Sequence, residues 1–98
     1  MVRHIVMWKM SDEAKANDFD GKVQLLREKF DDMIGKIDGL LEIELRKNYK
    51  PGNFDVSLLC TFDSREAEAA YQTNPIHVAV KEIIGQWAVE RACVDYDV

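Results

Sequence analysis

An excess of positive charge, long apolar runs, clustered cysteines and glycine-rich phosphate loops are all missing from this chain. Thirteen Lys and Arg stand against 18 Asp and Glu, a net charge of -5 with neutral histidines. No basic stripe interleaved with aromatics appears, so the electrostatic footprint of a nucleic-acid-binding domain is absent. The longest apolar runs are far too short to cross a bilayer. No charged, apolar and small-residue leader pattern opens the sequence, and a cytoplasmic protein without membrane attachment is expected. The two cysteines, Cys60 and Cys93, fall on different expected strands without metal-type spacing. In a reducing compartment they read as small buried hydrophobes, not as a disulfide. There are two histidines and no His-x-x-x-His pair, which removes the usual spacing of a metal site built from both histidines and a carboxylate.

What is present is a hydrophobic fraction of 47% over 98 residues, enough for one domain spanning 1–98 without repeats. A chain of this size buries only about 60–65% of its unfolded surface, so a second surface to cover would help it. Its first nine residues alternate. His4, Val6 and Trp8 fall on one face of a strand, and Arg3, Ile5, Met7 and Lys9 on the other. Ser11 to Asn17 reads as a polar connection. Phe19, Val23, Leu26, Phe30, Met33 and Ile37 then recur every three or four residues, the apolar stripe of a helix ended by Asp38-Gly39.

From Leu40 to Asn48 alternation returns, with Leu41, Ile43 and Leu45 set against Glu42, Glu44 and Arg46. Lys50-Pro51-Gly52-Asn53 fits a turn that leads into a third strand bearing Val56, Leu58, Cys60 and Phe62, so strands two and three form a hairpin. Ser64 caps a short helix through Tyr71, and Asn74 with Pro75 restarts a helix towards Gly85. Ala88 to Val98 closes the chain as a strand. The order βαββαβ, with right-handed crossovers, gives an α+β ferredoxin-like sandwich with strands one and three central.

Ile5, Met7 and Leu59 then point away from the helices on central strands. A lone domain would leave this apolar patch in water. Two sheets packed face to face would cover it, which predicts a symmetric homodimer with a barrel-like core and Glu42, Glu44 and Arg46 at its rim.

Three stretches carry a family resemblance: the opening His4-Ile5-Val6 with Lys9, the segment Tyr71-Gln72-Thr73-Asn74-Pro75-Ile76-His77, and the terminal Val94-Asp95-Tyr96. Together they resemble the stress-responsive A/B barrel family over essentially the whole chain. That resemblance implies a dimeric α+β barrel, a family in which many members have no assigned activity. It extends distantly to the plant olivetolic acid cyclase branch, which closes polyketide chains by aldol chemistry without a cofactor, using two histidines and two tyrosines. His4, His77 and Tyr71 match three of those positions. The fourth falls near Phe30, which has no hydroxyl, and Trp8 stands where a smaller aliphatic residue is found. The same plant relatives imply a Mg2+ site on the main-chain carbonyls of Ile34, Ile37 and Leu40 at the end of the first helix, where orphan carbonyls and the negative dipole end would favour a cation.

The candidate site is thus a small-molecule pocket between sheet and helices, walled by Val6, Trp8, Leu26, Phe30, Ile43, Leu58 and Val80. In a catalytic reading His77, near a helix start, stays neutral and acts as base; His4 orients or polarises; Tyr71 donates to a developing oxyanion. In the competing reading the two histidines satisfy each other or nearby carbonyls, and Tyr71 is an amphipathic core residue. Asp31-Asp32, Glu66-Glu68 and Asp95-Asp97 read as solvated charge. The leading expectation is a homodimeric small-molecule-binding barrel protein. A cofactor-independent cyclase or lyase acting on an enolisable, polyketide-like substrate is the first alternative, and a cofactor-independent monooxygenase of the related dimeric type the second.

Overall fold

The computed structural model describes residues 1–98. Strand β1 (Val2–Met10) runs through the middle of a four-stranded sheet of order β2-β3-β1-β4, where β2 is Leu40–Lys47, β3 is Val56–Phe62 and β4 is Ala88–Asp97. All three neighbouring pairs are antiparallel. The helices are α1 (Asp12–Ala16), α2 (Phe19–Asp31), α3 (Arg65–Thr73) and α4 (Pro75–Gly85), and the fold is the ferredoxin-like α+β arrangement with β1 and β3 central.

Alternation along β1 decides what the helices cover. Val2, His4, Val6, Trp8 and Met10 are buried, while Arg3, Ile5 and Lys9 are half-buried and Met7 is exposed on the opposite face. Val23, Leu26 and Phe30 of α2 complete the core with Leu58, Cys60 and Phe62 of β3. On the uncovered face, β4 sets Val94 opposite Ile5 and Tyr96 opposite Arg3, so the exposed apolar surface extends from the central strand to the sheet edge.

Three expectations from the sequence need correction. The stretch Ser11 to Asn17 is not an irregular connection, because it contains α1. The Ser11 hydroxyl accepts the Ala14 N–H at 3.1 Å and Asp12 and Glu13 occupy the first turn, a capped turn too short to show helical periodicity. The first long helix stops at Asp31 rather than at Ile37. Met33 and Ile37 stay buried from a turn that follows, in which the Ile37 N–H still reaches the Met33 carbonyl at 3.2 Å. Leu41 does not share the buried face of Ile43 and Leu45. A register shift between Leu40 and Glu42 leaves Leu41 48% exposed and puts Leu40 in the core instead.

Gly39 precedes that shift at φ +82, and a Cβ there would lie 2.5 Å from the Ala67 Cβ of α3. Any other residue would push α3 off the end of β2. At the far end of α3, Asn74 closes one helix and opens the next: its side chain accepts the Ile76 N–H at 2.9 Å, and Pro75 takes the first helical position. This break turns the chain so that His77, in the first turn of α4, meets Tyr71 in the last turn of α3. No helix is long and apolar enough to cross a membrane.

Candidate functional site

His4 enters the site from β1, on the face that the helices cover. Across the ladder its partner is Asp95 of β4, and His4 Nδ1 lies 2.6 Å from Asp95 Oδ1. A carboxylate has no hydrogen to give, so Nδ1–H donates and Nε2 is left as the acceptor nitrogen. The histidine is buried, whereas Asp95 is partly open at the sheet edge. Asp95 is therefore not simply solvated charge, as its Asp-x-Asp setting suggested; cross-strand pairing, invisible in sequence, gives it a partner 91 residues away.

Cys93 also departs from expectation. It is exposed rather than buried, its Sγ 3.5 Å from both His4 Nδ1 and Asp95 Oδ2. Burial of its sulfur and then the Asp95 charge push its thiol up. Cys60 is buried as expected, and burial pushes its thiol up to about 12. Both cysteines are free.

His77 is buried in a different way. Its Nδ1 lies 3.0 Å from the main-chain carbonyl of Tyr71, so Nδ1–H donates there and Nε2 again carries the lone pair. The ring lies against that of Tyr71, centroids 3.7 Å apart and planes 19° from parallel. Burial lowers His77 to about 4, the Tyr71 carbonyl partly opposing and Lys81, His4 and Arg91 adding to it. At neutral pH it is an uncharged ring. Tyr71 itself is fully buried, its hydroxyl in the interior beside the Cys60 thiol without a hydrogen-bond partner of ordinary geometry. Burial pushes that hydroxyl well above its usual range. Its ring also meets His4 edge-on at 6.1 Å.

A cavity of about 320 Å³ opens between sheet, α4 and the start of β4. His4 and His77 both line it, and Val6, Trp8 and Leu58 form its sheet wall. Tyr71 lies behind the histidines instead of on the cavity surface. Leu26, Phe30 and Val80 belong to the packed core, and Ile43 is half-buried against that core. Trp8 forms a wall and does not plug the space, because it leans on Phe30 with ring centroids 6.5 Å apart. Lining residues that sequence reading missed are Gln72, Lys81, Ile84, Ala88, Val89, Glu90 and Arg91. Helical spacing offered a signal for some of them, since Lys81, Ile84 and Gly85 follow His77 on one stripe of α4.

One group of three potential metal ligands exists, His4, Cys93 and Asp95, with ligand atoms within 4.8 Å of one another. Nitrogen, sulfur and oxygen donors suit zinc. Here the Nδ1 proton sits between His4 and Asp95, where a cation would have to replace it. Of the residues of the expected Mg2+ position, Ile34 and Ile37 lie in the turns that follow α2 and Leu40 at the start of β2, and the Ile37 carbonyl accepts the Leu40 N–H at 3.3 Å.

The fold defines a ferredoxin-like α+β domain with a cavity bordered by two histidines. The profile of the stress responsive A/B barrel domain matches residues 2–98, and the chain belongs to that family. A dimeric protein of unknown function from Bacteroides fragilis is 31% identical, with a TM-score of 0.89 over 99% of this chain and 95% of that one. A dimeric ferredoxin-like protein of unknown function from Thermobifida fusca is 21% identical, TM-score 0.82, over 99% and 90% of the two chains. A putative antibiotic biosynthesis monooxygenase from Nitrosomonas europaea shares the fold at 15% identity, TM-score 0.74, over 100% and 98%. No curated protein matches the chain.

Proposed function

We propose that this protein is a homodimer whose subunit cavities bind a small enolisable carbonyl compound, and that His4 removes a proton from the carbon beside the carbonyl without a redox cofactor. The observation that carries this reading is the 2.6 Å contact between His4 Nδ1 and Asp95 in a histidine that borders the cavity. A carboxylate on Nδ1 fixes the tautomer that presents Nε2 as base and stabilises the imidazolium formed when that nitrogen takes the proton. The electron pair of the broken C–H bond passes to the carbonyl oxygen as an enolate, and return of the proton or attack on a second carbonyl completes an isomerisation or an aldol step.

Sequence reasoning gave the base to His77. Its lowering to about 4 argues for a different part, because a base works best with a pKa near the operating pH. A neutral His77 with Nε2 free suits accepting a hydrogen bond from a substrate hydroxyl. Tyr71, whose buried hydroxyl lies next to both rings, is the donor assigned to the enolate in this reading. Two free thiols, one of them exposed, suit a reducing cytoplasm.

Hydrogen–deuterium exchange into aryl ketones and β-keto esters, followed by NMR, tests the reading. Wild type should accelerate exchange, and His4→Ala should lower the rate roughly a hundredfold or more. Equal exchange by wild type and His4→Ala would remove the base from this position. A second reading, binding without chemistry, draws on the burial of Tyr71 away from the cavity surface. It predicts a bound ketone whose hydrogens exchange no faster than in buffer.

A further inference from the structure

We infer that the ligand of this cavity carries a carboxylate, held at the mouth by Lys81 and Arg91. The inference rests on the reading of the cavity as a ligand site, and not on His4 acting as a base. Lys81 stands one helical turn beyond His77 on α4, and Arg91 lies opposite Trp8 in the ladder between β1 and β4, so two cations from different elements border one opening. The single acid on the cavity wall, Glu90, pairs with Lys9 at 3.1 Å and points its charge elsewhere. The ion pairs of the chain use His4, Lys9, Lys15, Arg46, Lys47 and Arg65, and neither Lys81 nor Arg91 is among them.

What sets these two cations apart is their place: one from α4 and one from β4 line the same cavity, and no acid of that wall is paired with either. Their field reaches the inner end of the site, since both contribute to the lowering of His77. An arginine fork and an ammonium group together match the two oxygens of a carboxylate. The buried Val6, Trp8 and Ile84 offer an apolar wall, and the volume falls in the range of small-molecule sites, roughly 300–1,000 Å³. The ligand class is therefore an amphipathic acid: an apolar or aromatic body inside, with its carboxylate at the mouth.

The probes are 2-naphthoate and its neutral counterpart 2-naphthamide, neither of which has an enolisable hydrogen, measured by quenching of tryptophan fluorescence and by calorimetry. Wild type should bind the acid at least tenfold more tightly than the amide, with the preference weakening as salt rises. Lys81→Met and Arg91→Met should each reduce that preference, and the double variant should abolish it while leaving amide binding unchanged. An amide bound as tightly as the acid, or a preference that survives in the double variant, overturns the inference. If the preference is present while His4→Ala exchanges ketone hydrogens as wild type does, the carboxylate site stands and the assignment of the base falls. If neither probe binds, the cavity is not a ligand site and this inference falls with it.

Discussion

His77 lies face to face with Tyr71 at 3.7 Å while donating its Nδ1 proton to the main-chain carbonyl of that same residue. Both contacts follow from the Asn74-Pro75 break. The cap ends α3 just after Tyr71 and starts α4 just before His77, which folds the two rings onto each other. A continuous helix would have set the two side chains about 120° apart around its axis and roughly 9 Å apart along it, out of stacking contact. One cap thus fixes the tautomer, the stacking partner and the burial of the second histidine.

That burial makes stability depend on pH. His77 is held near 4 in the folded protein and returns to about 6.5 when unfolded, so between these values the unfolded chain binds the extra proton. Its contribution is fully present above pH 6.5 and is lost as pH falls towards 4. With the ring buried on the cavity wall, up to about 3 kcal/mol is at stake. Urea midpoints measured between pH 7.5 and 4.5 should fall with acidity in wild type, and His77→Gln should remove that part of the slope. A slope unchanged in His77→Gln would assign the acid sensitivity to other groups.

Asp95 should behave as a positioning residue for His4. Asparagine keeps the size and presents an amide, which neither fixes the same tautomer nor stabilises an imidazolium. Asp95→Asn should lower the exchange rate tenfold or more at saturating ketone while leaving ketone affinity within about twofold. The readout that separates positioning from mere structure is the maximal rate set against binding. Weaker binding with an unaltered maximal rate would contradict this role.

Much of this was legible in the sequence, and the failures share a cause. Alternation over Val2–Met10 was enough to put His4 with Val6 and Trp8, because period-2 patterns are read within one strand. The caps at Ser64 and Asn74 were equally local. Asp95 escaped because its meaning depends on register with a strand 91 residues away, and nothing in Val-Asp-Tyr-Asp records that pairing. Lys81 and Arg91 became one site only when α4 and β4 met. Leu41 misled for a related reason, since a one-residue shift against β3 exchanges its place with Leu40 without disturbing the polar and apolar pattern.

Tyr71→Phe separates stability from chemistry. A buried hydroxyl without a good partner is unfavourable, so its removal should raise stability by about 1 kcal/mol, seen as a higher urea midpoint with an unchanged slope. If the hydroxyl serves the enolate, the same variant should exchange ketone hydrogens more slowly. Loss of stability would instead indicate that the hydroxyl is satisfied in solution, for example by the Cys60 thiol beside it.

The last prediction concerns the face that the helices leave open. Met7 is 37% exposed on a central strand, with Val94 at 52% and Tyr96 at 42% towards the β4 edge, and Ile5 and Leu59 half-buried between them. Such a surface on a sheet is expensive in water, and the relative from Bacteroides fragilis that is 31% identical is dimeric. Two copies meeting face to face through a twofold axis would cover it on both at once, because a self-complementary patch needs only one surface. A charge at its centre is then presented twice, against the partner's apolar residues and its own symmetry mate. Met7→Lys should yield a monomer or insoluble protein by light scattering, whereas Leu41→Lys, at an exposed position beside the bulge of the edge strand β2, should leave the dimer intact. A Met7→Lys protein that remains a dimer of unchanged mass would place the interface on some other surface.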